Sequence, residues 1–330
     1  MRWLAMLWGL LCRRRRPASP EAELQQLLAA SRPQSSSALD PRPSYPDLLA
    51  GALRSRLAYL EPGAVRAKCG GAAAAATAAA EVDRMLCGEM EGVAAGSVLF
   101  YDSGIDADAQ AFMWDKGGTT YLTFRGSSSV KDAMADLDVR HCREDGAPSA
   151  TAVHTGVHRQ LDSVWPAIVR DLGVGPGAPP RTVCVSGHSL GGALAMLAAA
   201  RLGRQAGISV SCMTFGAPRV GNTAFVDWLD GGRVRGWRVF NEKDPVPMLP
   251  PVSDCFSHVG ASGVEATLPG LCLDGGCGAT VERRDRTWYQ SLGDIDLAAP
   301  AAEHDLGVYI QRMAALGALH APPGPGVLWD

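Results

Sequence analysis

The sequence predicts an α/β protein whose mostly parallel central sheet is flanked by helices. Three observations carry that expectation. Short β-rich runs alternate with helix-spaced segments from about residue 109 to residue 241, the order that joins parallel strands through crossover helices. A hairpin around Lys116-Gly117-Gly118 opens the series. The chain of 330 residues is 47% hydrophobic and 20% charged, which is the composition of a globular protein with a large core.

The elements follow in order. Residues 13–44 are rich in Arg, Pro and Ser and read as a linker with one short helical piece around Glu21–Ala30. A single domain is expected from Tyr45 to about residue 318, followed by a Pro-rich tail over 319–330. The Ala-rich tract Gly71–Ala80 continues into Glu81–Leu86. Alanine is the best helix former, so this tract is expected to be helical. The runs Ala109–Trp114 and Thr119–Phe124, separated by Asp115–Gly118, are expected to pair as a hairpin. Val157, Leu161, Val164, Ile168 and Leu172 fall on one helical face within Val153–Leu172. Arg181–Ser186 is then a strand, Leu190–Leu202 a small-residue helix, Ile208–Phe215 a strand, Thr223–Leu229 a helix and Gly236–Asn241 a strand.

One strand–helix joint carries chemistry. Its sequence, Ser186-Gly187-His188-Ser189-Leu190-Gly191-Gly192, contains Gly-x-Ser-x-Gly. In a chain with 38 glycines that pattern alone is weak, about 0.3 expected by chance. Its position between a strand and a helix is what makes it a nucleophile elbow. Ser189 would stand at the tip of a strained turn, with Gly187 and Gly191 leaving room where side chains would clash. The N-terminal N–H groups of the following helix would face a developing anion.

A serine nucleophile needs a base, and the base needs an orienting carboxylate. Among the histidines after Ser189, His304 sits at a helix start after a Pro/Ala loop and is the expected base. His258 is the alternative, and His320 lies in the Pro-rich tail. Asp244 follows the strand ending at Asn241 and precedes Pro245, which makes it the expected acid, with Asp254 as runner-up. Asp227 and Asp230 read as solvated charge on a helix face. The Leu190 N–H and the stretch Gly126-Ser127 after an earlier strand are the expected oxyanion donors.

These segments, in this order, resemble the class 3 (fungal triacylglycerol-lipase-like) family of α/β-hydrolases, which has plant and algal members. The matching stretches are TYLTFRGSSSVKDAMADLDV (120–139), VHTGVHRQLDSVW (153–165), VSGHSLGGALAMLAA (185–199), TFGAPRVGN (214–222), RVFNEKDPVPMLPP (238–251) and HDLGVYI (304–310). The resemblance implies an α/β-hydrolase fold with Ser189 as nucleophile, Asp244 as acid, His304 as base, and Ser127 with Leu190 as oxyanion donors. It implies hydrolysis of acylglycerol esters through an acyl-enzyme, without metal or other cofactor, and so a lipid ester as partner. It also implies a lid just after the oxyanion loop. Val130, Met134 and Leu137 share one helical face there, although the tryptophan often found in fungal lids is absent. A phospholipase or galactolipase A1-type acylhydrolase is the alternative within the fold. A catalytically silent interaction module is the alternative outside enzymes.

Composition narrows the rest. A net charge of −3 gives no reason to expect nucleic acid as partner. Nine cysteines occur without a Cys-x-x-Cys pair, which argues against zinc. Cys184 and Cys212 lie in apolar runs and read as buried small hydrophobes. Cys255, Cys272 and Cys277 are candidates for one disulfide. The apolar run Trp3–Leu11 is nine residues, about 14 Å as a helix, too short for a core of about 30 Å. With Arg13–Arg16 behind it, it reads as a membrane-surface anchor, which would make a membrane or lipid-droplet surface a second partner. A removed leader for the secretory pathway or an organelle is the competing reading.

Overall fold

The structure is a computed structural model. It describes residues 45–69, 78–104, 108–127, 140–175, 177–231, 234–241, 244–250, 256, 265–268, 271–276 and 302–320. The N-terminal apolar run and linker, the tract 70–77, the expected lid residues Val130, Met134 and Leu137, Asp254, Cys255, His258, Cys277 and the tail from 321 lie outside the described residues.

Three helices come first: α1 (Tyr45–Leu57), α2 (Pro62–Lys68) and α3 (Ala78–Met90). Strands β1 (Leu99–Asp102), β2 (Gln110–Lys116) and β3 (Thr119–Phe124) follow. After β4 (His141–Arg143) and β5 (Ala152–His154) the chain alternates: α4 (Thr155–Leu172), β6 (Arg181–His188), α5 (Leu190–Leu202), β7 (Ile208–Phe215), α6 (Thr223–Asp230) and β8 (Val234–Asn241). Strands β9 (Glu265–Leu268) and β10 (Leu271–Gly276) and helix α7 (Leu306–His320) complete the described elements.

The main sheet has the order β1-β2-β3-β6-β7-β8-β10-β9. Its centre, β3-β6-β7-β8, is parallel, and the pairs outside it are antiparallel. Alternation along β7 shows why helices cover both faces. Ile208, Val210 and Cys212 join one core with α4, α5 and α6. Met213 and Phe215 join the other core with α1, α2, α3 and α7. Side chains of successive strand residues point to opposite faces, so a strand apolar on both faces needs cover on both.

Several boundaries differ from the sequence expectations. The hairpin turn is only Gly117-Gly118, both at positive φ (59° and 78°). Asp115 and Lys116 belong to β2, because a two-residue turn matches strand twist and leaves them paired with Thr120 and Thr119. The helix expected from Val153 starts at Thr155, since Ala152–His154 pairs with β4 and the His154 side chain accepts the Gly156 N–H as a cap. Strand β6 runs two residues further, to His188, because its parallel register with β7 continues to Phe215. Cys184 and Cys212 are buried free thiols, as expected of small apolar side chains.

Helix α5 is buried over nearly its whole circumference, and it is built from Ala, Gly and Leu so that it can lie close to the sheet. Helix α1 does the same on the opposite face, where a Cβ on Gly51 would meet Met213 Sδ at 2.8 Å. These close layers bring the ends of β3, β6, β7 and β8 under loops from both sides of the sheet.

Candidate active site

Ser189 sits between β6 and α5 with φ 57° and ψ −130°. That backbone is strained for a residue with a Cβ and persists only where the surroundings over-determine it. Here they do: its N–H donates to Phe215 O at 2.9 Å, and its carbonyl accepts the N–H groups of Gly192 (2.9 Å) and Ala193 (3.2 Å). The flanking glycines are required by space. A Cβ on Gly187 would strike the Gly191 carbonyl and sit 2.7 Å from Gly192 N. A Cβ on Gly191 would strike the Phe124 carbonyl and sit 2.8 Å from Gly126 N. The start of α5 therefore packs directly on the backbone that follows β3. The N–H groups of Leu190 and Gly191 come before the first acceptor of the helix and lie beside Ser189.

That same backbone brings up the second expected donor. Ser127 is half-buried three residues past the end of β3. Gly126 lets the loop approach: a Cβ there would collide with the Tyr59 hydroxyl and the His188 carbonyl and lie 3.2 Å from Ser189 Cβ. Leu190 and the loop at 126–127 thus come together at the elbow.

Asp244 and His304, 60 residues apart, are hydrogen-bonded at 2.8 Å between Oδ2 and Nδ1. Both side chains are buried, at 0% and 2% exposure. The Asp244 N–H donates to Asn241 O at the end of β8, and Pro245 caps a short 3-10 turn, Val246–Met248. That turn returns the Val246 N–H to Asp244 Oδ1 at 2.9 Å. With Nδ1–H directed at the carboxylate, the free lone pair of a neutral His304 is on Nε2. That atom is buried without a hydrogen-bond partner among the described residues, as a nitrogen awaiting a proton would be. His304 lies in a turn just before α7, close to its expected place at a helix start.

Three participants were not legible in the sequence. Tyr309, on α7, donates its hydroxyl to Asp244 Oδ2 at 2.6 Å and accepts the Asn241 N–H at 3.0 Å. Burial, and then the Asp244 carboxylate, push its pKa well above the ordinary phenol value, so it stays a donor. Gly216, at φ 57°, leaves room beneath the pair. A Cβ there would sit 2.8 Å from Asp244 Oδ2 and 3.1 Å from His304 Cε1. His188, next to Ser189, is buried with its Nε2 2.8 Å from the His304 carbonyl oxygen. The only sequence signal for these was proximity along the chain: Gly216 directly follows the strand ending at Phe215, His188 precedes Ser189, and Tyr309 lies five residues past His304.

A strained serine at a helix N-terminus, a buried carboxylate–imidazole pair and a glycine-lined loop are the parts of nucleophilic acyl transfer.

Comparison with known proteins agrees with this chemistry. The family model described as Lipase (class 3) matches residues 121–254. A lipase from Rhizomucor miehei is 37% identical over 169 residues, which is 50% of this chain and 45% of that protein. A phospholipase A1, EG1, of the chloroplast or mitochondrion of Oryza sativa subsp. indica is 38% identical over 154 residues, 42% of this chain and 29% of that protein. The chain thus spans less than half the length of these curated relatives. Among solved structures, a fungal lipase–inhibitor complex superposes with a TM-score of 0.57 at 26% identity, covering 80% of this chain and 94% of that one. Rhizomucor miehei triacylglyceride lipase superposes with a TM-score of 0.56 at 25% identity, covering 86% and 94%.

Proposed function

We propose, from the match of residues 121–254 to the class 3 lipase model and the likeness to fungal lipases, that this chain belongs to that family and is a serine hydrolase of acylglycerol carboxylic esters, with its catalytic domain over residues 45–318. The observation that carries the reading is the buried Asp244–His304 hydrogen bond beside a serine held at a strained elbow. Ser189 Oγ attacks the ester carbonyl as His304 Nε2 takes its proton. Asp244 holds the ring with Nδ1–H toward itself and stabilises the imidazolium that forms. The Leu190 N–H and Ser127 face the carbonyl oxygen as it becomes an oxyanion. His304 then protonates the leaving alcohol, and water, deprotonated by the same nitrogen, releases the acid from the acyl-enzyme.

The test is labelling by a fluorophosphonate probe together with hydrolysis of a short-chain ester. The Ser189→Ala protein should not label, and its kcat should fall by about 10⁶. Full activity in that variant would end the reading. Wild-type protein that neither labels nor hydrolyses any ester would favour a silent interaction module.

A second substrate class is favoured by one observation, the 38% identity to a plant phospholipase A1 over 154 residues. Hydrolysis of a mixed lipid extract, with products identified by mass and Ser189→Ala as control, decides between neutral acylglycerols and phospho- or galactolipids. The N-terminal apolar run with its four arginines supports docking at a membrane or lipid-droplet surface, and flotation with anionic vesicles tests it. Among the described residues no helix is long and apolar enough to cross a membrane.

A further inference from the structure

The reaction above leaves one buried imidazole of the site unused. His188 ends β6, and its ring centroid is 4.6 Å from that of His304. Its Nε2 faces the His304 carbonyl oxygen at 2.8 Å. A carbonyl only accepts, so this nitrogen carries a proton. Burial, followed by the neighbouring His304, holds the His188 pKa well below the ordinary imidazole value. The ring is therefore neutral, its Nδ1 is bare, and the Tyr59 hydroxyl 2.9 Å away is the donor. The Tyr59 hydroxyl in turn lies against the Gly126 backbone, where a side chain would collide with it. The ionisable groups around His188 are Tyr59 and Arg56 from the α1 side, and His304 and Tyr309 from the C-terminal side.

The donors point one way: Tyr59 O–H to His188 Nδ1, and His188 Nε2–H to the His304 carbonyl. Such a chain is cooperative in a buried interior. It starts against the oxyanion loop at Gly126 and ends on the backbone of the expected base.

We propose that Tyr59 and His188 are positioning residues that tie the oxyanion loop to the segment carrying His304, with Tyr59 locking His188 in its neutral Nε2–H tautomer. The opposite tautomer would set a nitrogen lone pair against the His304 carbonyl. A protonated His188 would place a second cation beside His304 just as that ring becomes imidazolium, which opposes the transition state. The kinetic consequence rests on the ester-hydrolase reading, whereas the tautomer does not.

The experiment uses the full chain, labelled with ¹⁵N-histidine and assigned by difference against His188→Gln. His188 should read as neutral and Nε2–H from about pH 5.5 to pH 8, where an ordinary histidine titrates. In Tyr59→Phe the same signal should move toward mixed tautomers or begin to titrate. On a short-chain ester, and per fluorophosphonate-reactive site, Tyr59→Phe should lower kcat about tenfold with KM within about twofold. His188→Gln, whose amide can still donate to the His304 carbonyl, should retain about tenfold more kcat than His188→Leu. A wild-type His188 that titrates or carries its proton on Nδ1 overturns the proposal. So does wild-type kcat per reactive site in all three variants. A wild-type protein without esterase activity removes the parent reading instead, and the tautomer still decides this one.

Discussion

Asp244→Asn removes one charge and almost no volume, and the structure dictates how it fails. The carboxylate accepts three donors, from His304 and Tyr309 on Oδ2 and from Val246 on Oδ1. An asparagine has one acceptor oxygen. If that oxygen stays on the His304 side, its NH2 faces the buried Val246 N–H, a donor against a donor costing about 1–3 kcal/mol. If the amide flips, the NH2 faces His304 Nδ1, and the ring must put its proton on Nε2, where it can no longer take one from Ser189. Either way the imidazolium formed in the transition state loses its counter-charge. At 2.8 Å and an effective dielectric constant of about 20, that attraction is about 6 kcal/mol. Each 1.36 kcal/mol is a factor of ten in rate, so kcat should fall by about 10⁴, the scale seen when a triad carboxylate is neutralised. The assay is kcat on a short-chain p-nitrophenyl ester, normalised to folded protein by circular dichroism. The rate of fluorophosphonate labelling should fall in parallel. A folded variant keeping more than about a tenth of kcat would refute the assignment, since no barrier contribution of about 6 kcal/mol could then reside in this pair.

Three further outcomes are expected. Ser127→Ala should lower kcat by about 10²–10³ with little change in KM if the hydroxyl is an oxyanion donor, and an unchanged kcat would return the role to the backbone. Gly191→Ala should push α5 off the backbone after β3, because its Cβ would meet Arg125 C at 2.7 Å. Loss of about 1–3 kcal/mol in a urea titration and of most activity should follow, and a wild-type midpoint would contradict the packing. His188 has a folded-state pKa depressed below its unfolded value of about 6.5. The unfolded chain therefore binds the extra proton, and stability is full above about pH 6.5 and falls as pH drops below it. The slope attributable to His188 is up to about 1.4 kcal/mol per pH unit. Urea titrations of wild type and His188→Gln should diverge accordingly, and parallel pH curves would show that His188 is not held neutral.

Much of the frame was legible because it is written locally. Leu190–Leu202 reads as a helix from its composition, and the structure keeps both ends. Ile208–Phe215 reads as a strand at the same bounds. The hydrophobic spacing of Val157, Leu161, Val164, Ile168 and Leu172 marks the face that α4 buries. The strands that were missed are short or polar: β1 has four residues, β4 and β5 three each, and β10 ends in Asp274-Gly275-Gly276. Runs of that length carry too few alternations to declare a period.

By itself the sequence determined the elbow and the order of its partners. Steric need puts glycines at 187 and 191, a strand before Ser189 and a helix after it, and those are properties of neighbouring residues. It also supplied Asp244 and His304 as separate candidates on turns past a strand and before a helix. Only tertiary structure decided that these two meet in a dry site, and that Tyr309, Gly216, Tyr59 and His188 complete it. Tyr59 and His188 are 129 residues apart, and Tyr309 and Asp244 are 65 apart. Their contacts depend on α1 and α7 packing on one face of the sheet while α5 packs on the other. That arrangement is set by burial of whole faces rather than by any spacing along the chain, so no local pattern encodes which polar groups it brings within hydrogen-bonding reach of one another.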